Sequence, residues 1–103
     1  MVSFAEDADA SEHLASILKA LANASRLRIV ATLCDGPSSV GRLAEALGAD
    51  PAIVSQQLRI LRMQGLVEAR KSEGFSYYSL AMPELRGLVA CLAKCPSIPA
   101  KRR

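Results

Sequence analysis

The sequence contains no tryptophan, 4% aromatic residues, one histidine and three cysteines. With so few aromatics, a core must rest on Leu, Ala, Val and Ile, which suits packed helices. No run of about 18 apolar residues occurs, so a membrane-spanning helix is not expected. The first residues are acidic and carry no apolar stretch behind a basic start, so no secretory signal is expected. An odd and sparse set of cysteines argues against a secreted disulfide scaffold and for a reducing cytoplasm. The single His13, the absence of a glycine-rich phosphate loop and the lack of clustered carboxylates leave no nucleophile–base pair to nominate. The chain does not read as an enzyme, and nothing in it calls for a required cofactor.

What is present is a 50% hydrophobic chain of 103 residues, too apolar for disorder and sized for one domain with a modest core. A subunit interface is expected to supply part of its stability. Charge is unevenly placed. Residues 1–12 hold Glu6, Asp7, Asp9 and Glu12 and no base, whereas the remainder holds all 13 bases against six acids. A basic body of this kind suits a nucleic-acid partner, and equally a solvated basic surface. Residues 1–12 read as a flexible acidic leader, 13–95 as the folded domain and 96–103 as a basic tail.

Periodicity divides the domain. Leu14, Ile17, Leu18 and Leu21 form a helical stripe, and Asn23 is a cap for a second helix whose stripe reads Leu27, Val30, Ala31 and Cys34. Asp35-Gly36-Pro37 stops that helix. Ser39 opens a short third helix with Val40, Leu43, Ala44 and Leu47 inward, ended by Gly48. Asp50-Pro51 opens a fourth that runs to about Gln64, with Val54, Leu58 and Leu61 inward. Leu66–Lys71 and Phe75–Leu80 then read as a hairpin around Ser72-Glu73-Gly74. A last helix follows Pro83, with Leu85, Leu88, Val89 and Leu92 at helical spacing, ended by Pro96 and Pro99. The fold class is mostly α with a small β-hairpin. A short helix, a tight glycine turn, a longer capped helix and a hairpin make a winged helix-turn-helix, α-α-α-α-β-β-α.

The fourth helix has a second face. Ala52, Ser55, Gln56, Arg59 and Met63 lie opposite Val54, Leu58 and Leu61. This face is small and polar at its start, with an arginine one turn on. A helix that enters the major groove of double-stranded DNA needs this pattern, because bulk would block entry and donors must reach base edges. Arg70 and Lys71 on the hairpin suit phosphate or minor-groove contact. Arg42 sits near the start of the third helix, where a base opposes the helix dipole, and so reads as a phosphate contact. For each base the bland alternative is a solvated side chain. A pure protein-interaction module would explain the amphipathic helices but not this polar face.

Several segments resemble the ArsR/SmtB family of bacterial repressors. Leu21-Ala-Asn-Ala-Ser-Arg-Leu-Arg-Ile29 is similar to the family's LADPTRLRIL segment, and Ser39-Val-Gly-Arg-Leu-Ala44 to SVGELA. Val54-Ser-Gln-Gln-Leu-Arg-Ile-Leu-Arg62 is similar to VSQHLKxLR, with Gly65-Leu66-Val67 behind it. Gln57 stands where the family usually has His, and Arg42 where it usually has the Glu of a capping box. The resemblance runs from about His13 to Cys95. It implies a homodimer built through the first and last helices, which binds a palindromic operator and lets go when an effector arrives. It also adds Gln57 to the candidate DNA contacts.

The family's usual effector sites are not matched. Its arsenic-type Cys-x-Cys at the third helix is replaced by Ser39 and Gly41, and residues 84–95 carry no His and only Glu84 towards its zinc-type site. Three thiols remain. Cys91 and Cys95 are four apart and are expected on one face of the last helix, while Cys34 ends the second. Some family members sense oxidants or persulfides with one cysteine on each of these helices, and others bind trivalent arsenic near the C-terminus. Side chains at this helical spacing lie about 5–6 Å apart at Cβ, too far for a disulfide without unwinding. A soft ion with longer bonds to sulfur could bridge Cys91 and Cys95 directly. Alternatively all three thiols are small apolar core residues.

Overall fold

The computed structural model describes residues 3–97. The sequence expectations for Pro99 and for the end of the basic tail lie outside them.

A single 3-10 turn, Ser3–Glu6, leads into α1, Ala8–Leu21. The Asp7 carboxylate caps α1 by accepting from the Ala10 N–H at 3.0 Å. The expected start at His13 is therefore corrected to Ala8. Of the acids that looked like an unattached leader, Asp7 is the cap and Asp9 lies in the first turn, where negative charge meets the positive end of the helix dipole favourably. Ala20 and Leu21 are buried and Ile17 packs against the core, but Leu18 is 51% exposed.

The second helix, α2, spans Ala24–Leu33, with the Asn23 side chain accepting from the Arg26 N–H and Cys34 closing the C-terminus. Its buried face is Ile29, Val30 and Leu33. The stripe expected through Leu27 and Ala31 is wrong, since both are exposed. A short apolar helix offers two overlapping stripes at helical spacing, and only the packing partner selects between them.

The third helix, α3, spans Val40–Leu47 behind the Ser39 cap and ends on Gly48 at φ 62, a left-handed conformation that glycine adopts without strain. Asp50 then caps α4, Pro51–Met63, accepting from the Ala52 N–H at 2.8 Å. Leu43 and Ala44 from α3 meet Val54, Leu58 and Leu61 from α4 in the core.

The hairpin pairs β1, Val67–Ser72, with β2, Phe75–Leu80, antiparallel from Val67↔Leu80 to Ser72↔Phe75. Two residues make the turn, Glu73 at φ 51 and Gly74 at φ 82, the doubly positive pattern that matches strand twist. Ser38 adds one further rung. Its N–H donates to the Tyr78 carbonyl at 3.0 Å, and the Tyr78 N–H donates back at 2.7 Å. The loop before α3 is thereby fixed to the hairpin.

The last helix, α5, spans Leu85–Ala93. Leu85 is buried, Leu88 and Val89 pack on the rim of the core, and Leu92 is 40% exposed. Among the described residues, no helix is long and apolar enough to cross a membrane.

Candidate nucleic-acid interface

The outer face of α4 is open to solvent. Ala52, Ser55, Gln56 and Arg59 all line one concavity of about 610 Å3, together with Ile53, Arg62 and Tyr78. The small residues lie nearest the N-terminus, so the approach to the helix is not obstructed there. Polar groups of the arginines and Gln56 project beside the hairpin rather than into the core, and each of these side chains is exposed. The structure thus brings together four of the residues singled out in sequence.

Three lining residues escaped the sequence reading. Ile53 is 46% exposed at the edge of α4, where apolar side chains suit a thymine methyl group. Arg62 lies one turn beyond Arg59. Tyr78 shares its strand face with the buried Leu80, and that alternation was the signal that could have placed it towards the helices.

The remaining candidates lie elsewhere. Gln57 is half-buried on the flank of α4, and its Oε1 accepts a hydrogen bond from Arg26 Nη1 at 2.9 Å. It therefore does not share the exposed face. The reason is angular: a residue one position past Gln56 is turned by about 100° around the helix, towards the core. Arg70 and Lys71 are exposed near the tip of the hairpin and line a second concavity of about 520 Å3 with Pro37, Glu68 and Tyr77. Adjacent strand residues alternate in direction, so the two bases border this one concavity from different positions. Arg70 pairs across with Tyr77, and Lys71 with Ser76. Arg42 is exposed in the first turn of α3, its N–H donating to the capping Ser39 Oγ at 3.2 Å.

The thiols are separate in kind. All three cysteines are free. Cys34 is half-buried at the end of α2, and its backbone carbonyl accepts from Arg86 Nε on α5 at 3.2 Å. Burial pushes its thiol above the ordinary value, the Arg86 guanidinium pulls the other way, and Asp35 adds to the rise. Cys91 is exposed on α5. Cys95 is not on the helix as expected: α5 ends at Ala93, with Lys94 as its cap, and Cys95 follows half-buried. Pro96 lies directly behind, and the residue before a proline disfavours helical backbone. The pair is therefore not held at the helical separation on which the geometric argument rested. No group of three or more His, Cys, Asp or Glu able to hold a metal ion occurs among the described residues.

Comparison with known proteins fits this arrangement. The family model described as bacterial regulatory protein, arsR family, matches residues 23–69, from the cap of α2 into β1. The HTH-type transcriptional regulator NmtR of Mycobacterium tuberculosis is 46% identical over 74 residues, 72% of this chain and 62% of that protein. The chain thus aligns with less than two thirds of NmtR's length. The biofilm growth-associated repressor of Xylella fastidiosa is 37% identical over 82 residues, 80% of this chain and 72% of that protein. The crystal structure of the repressor BigR from the same organism superposes with a TM-score of 0.79 at 35% identity, covering 92% of this chain and 98% of that one. A homodimeric winged helix-turn-helix DNA-binding domain, Mb0332 of Mycobacterium bovis, superposes with a TM-score of 0.75 at 35% identity, covering 84% of this chain and 80% of that one. The chain belongs to the arsR family of bacterial regulatory proteins and is a winged helix-turn-helix transcriptional regulator.

Proposed function

We propose that this regulator is a repressor that binds a palindromic DNA operator as a homodimer. The observation that carries this reading is the open concavity in which Ser55, Gln56 and Arg59 of α4 stand exposed beside Tyr78 of the hairpin. Gln56 is suited to adenine and Arg59 to guanine or phosphate. Arg70, Lys71 and Arg42 serve the backbone and carry little sequence information. Leu18 on α1 and Leu92 on α5, exposed at 51% and 40%, supply the apolar surface on which two copies pair. Selection of duplexes from a random-sequence pool tests the reading. A palindrome with half-sites about one helical turn apart supports it, and an absence of any sequence preference overturns it.

The release step is assigned to thiol chemistry centred on Cys91, with Cys95 as its near neighbour. Oxidation joins two thiols with loss of two protons and two electrons to the oxidant or persulfide, whereas trivalent arsenic would bridge the thiolates. Arg86 ties Cys34 to α5, so a change at α5 reaches the end of α2. Operator affinity is titrated with arsenite, peroxide and persulfide in wild type and Cys91→Ser/Cys95→Ser. A loss of affinity confined to the wild type supports the assignment. No response to any of them favours the second reading, a regulator whose cysteines are structural, to which the burial of Cys34 already leans.

A further inference from the structure

The side chain of Arg26 joins three helices. From the first turn of α2, its Nε donates to the backbone carbonyl of Ala20 near the end of α1, and its Nη1 donates at 2.9 Å to Oε1 of Gln57 on α4. Both contacts are part-buried. A second link runs in parallel, from Ser16 Oγ on α1 to Gln64 Oε1 at the cap of α4, 3.1 Å apart. Gln57 precedes the buried Leu58 and follows the exposed Gln56.

We infer that Arg26 is a positioning residue for DNA recognition, holding α4 at a fixed rotation about its own axis through Gln57. This inference rests on the operator-binding reading above. First, the apolar contacts of Val54, Leu58 and Leu61 are non-directional, so they bury α4 without sharply fixing its rotation. Second, a guanidinium is a rigid planar fork, and two acceptors on different nitrogens constrain each other's direction as a flexible ammonium would not. Third, small rotations matter at the outer face. A helix with its side chains is about 10–12 Å across, so a turn of about 10° moves an outer side chain by about 1 Å. Bidentate base contacts do not survive much more than that. Gln57 thus contributes to sequence reading from the side of the helix that faces away from DNA.

The test compares wild type, Arg26→Lys, Gln57→Leu, Gln57→Glu and the double variant Arg26→Lys/Gln57→Leu. Each full-length protein is titrated with a duplex that the wild type selects from a random pool and with a shuffled duplex of the same composition. Titrations run well below each melting temperature, followed by circular dichroism. Arg26→Lys and Gln57→Leu are expected to lower the ratio of selected to shuffled affinity by at least about tenfold, with shuffled binding unchanged within about twofold. Gln57→Glu keeps an acceptor for the fork and is expected to keep the ratio. The double variant should fall no further than the worse single one, because both remove the same contact. Equal loss on both duplexes, with a salt slope reduced by about one, would make Arg26 a phosphate contact and overturn the inference. An unchanged ratio, or strictly additive losses, would overturn it as well. Gln57→Leu changes no charge and keeps a side chain of similar length, so it decides the matter even if Arg26→Lys unfolds. A wild type that selects no sequence would instead sink the operator-binding reading itself.

Discussion

Arg86 and Cys34 connect the last helix to the second: the guanidinium on α5 donates to the backbone carbonyl that closes α2, at 3.2 Å. Arg86 also lowers the Cys34 thiol pKa against the larger upward push of burial. With the thiol net raised, less thiolate is present at a given pH than for a free cysteine, so alkylation of Cys34 should be slow at neutral pH and accelerate only above the ordinary thiol range. Arg86→Ala removes the lowering influence and should shift the rate profile further up, while Asp35→Asn should shift it down. Iodoacetamide labelling followed by mass spectrometry against pH checks both. A profile for Arg86→Ala that moves down contradicts the electrostatic account. The linked stability has a definite sign. The unfolded chain gives up the Cys34 proton first, so this group's contribution falls as pH rises through the alkaline range.

The core makes a second prediction. Leu58 is fully buried, and Leu58→Ala should cost about 2–5 kcal/mol through lost transfer energy and the cavity left behind. Leu27, 38% exposed, should cost well under half as much when changed to Ala. Denaturant unfolding of the two variants measures the difference. Equal losses would return Leu27 to the buried face of α2.

At the hairpin turn, Glu73 adopts φ 51, which a side chain other than Asn, Asp or Gly adopts with strain. Glu73→Asn suits the doubly positive turn and should gain on the order of 0.5–1 kcal/mol. It also removes a negative charge beside Lys71, so non-specific DNA affinity should rise modestly. Thermal melting and a fluorescence anisotropy titration report the two effects independently.

Recognition and backbone contact should separate by mutation. Gln56→Ala is expected to cost about 1–3 kcal/mol on the selected duplex and to relax preference at one base pair. Lys71→Ala should weaken all duplexes about equally and lower the salt slope by about one. Because successive side chains alternate in direction along β1, Arg70 and Lys71 meet DNA differently and their losses should differ in size. Titrations across a salt series measure each slope. Identical behaviour of the two would argue against a single face of the hairpin approaching DNA.

Much of this molecule was legible in its residues. Ser39, Gly48 and Asp50-Pro51 set the bounds of α3 and α4 through local rules, because capping and left-handed backbone depend on neighbours in sequence. The inward set Val54, Leu58 and Leu61 followed from spacing alone, and so did the exposed row from Ala52 to Arg59. The order of elements, the hairpin and the family resemblance needed nothing further. Tertiary structure decided the remainder. Leu27 and Val30 are both apolar on the same helix, and only the neighbours of α2 chose which to bury. Gln57 looked like a reading residue until Arg26, far from it in sequence, turned out to hold its oxygen. Cys95 looked helical by spacing, yet α5 ends before it. In each case the deciding term is a contact or a backbone direction set by residues distant in sequence, whereas caps, turns and periodicity are written in adjacent residues.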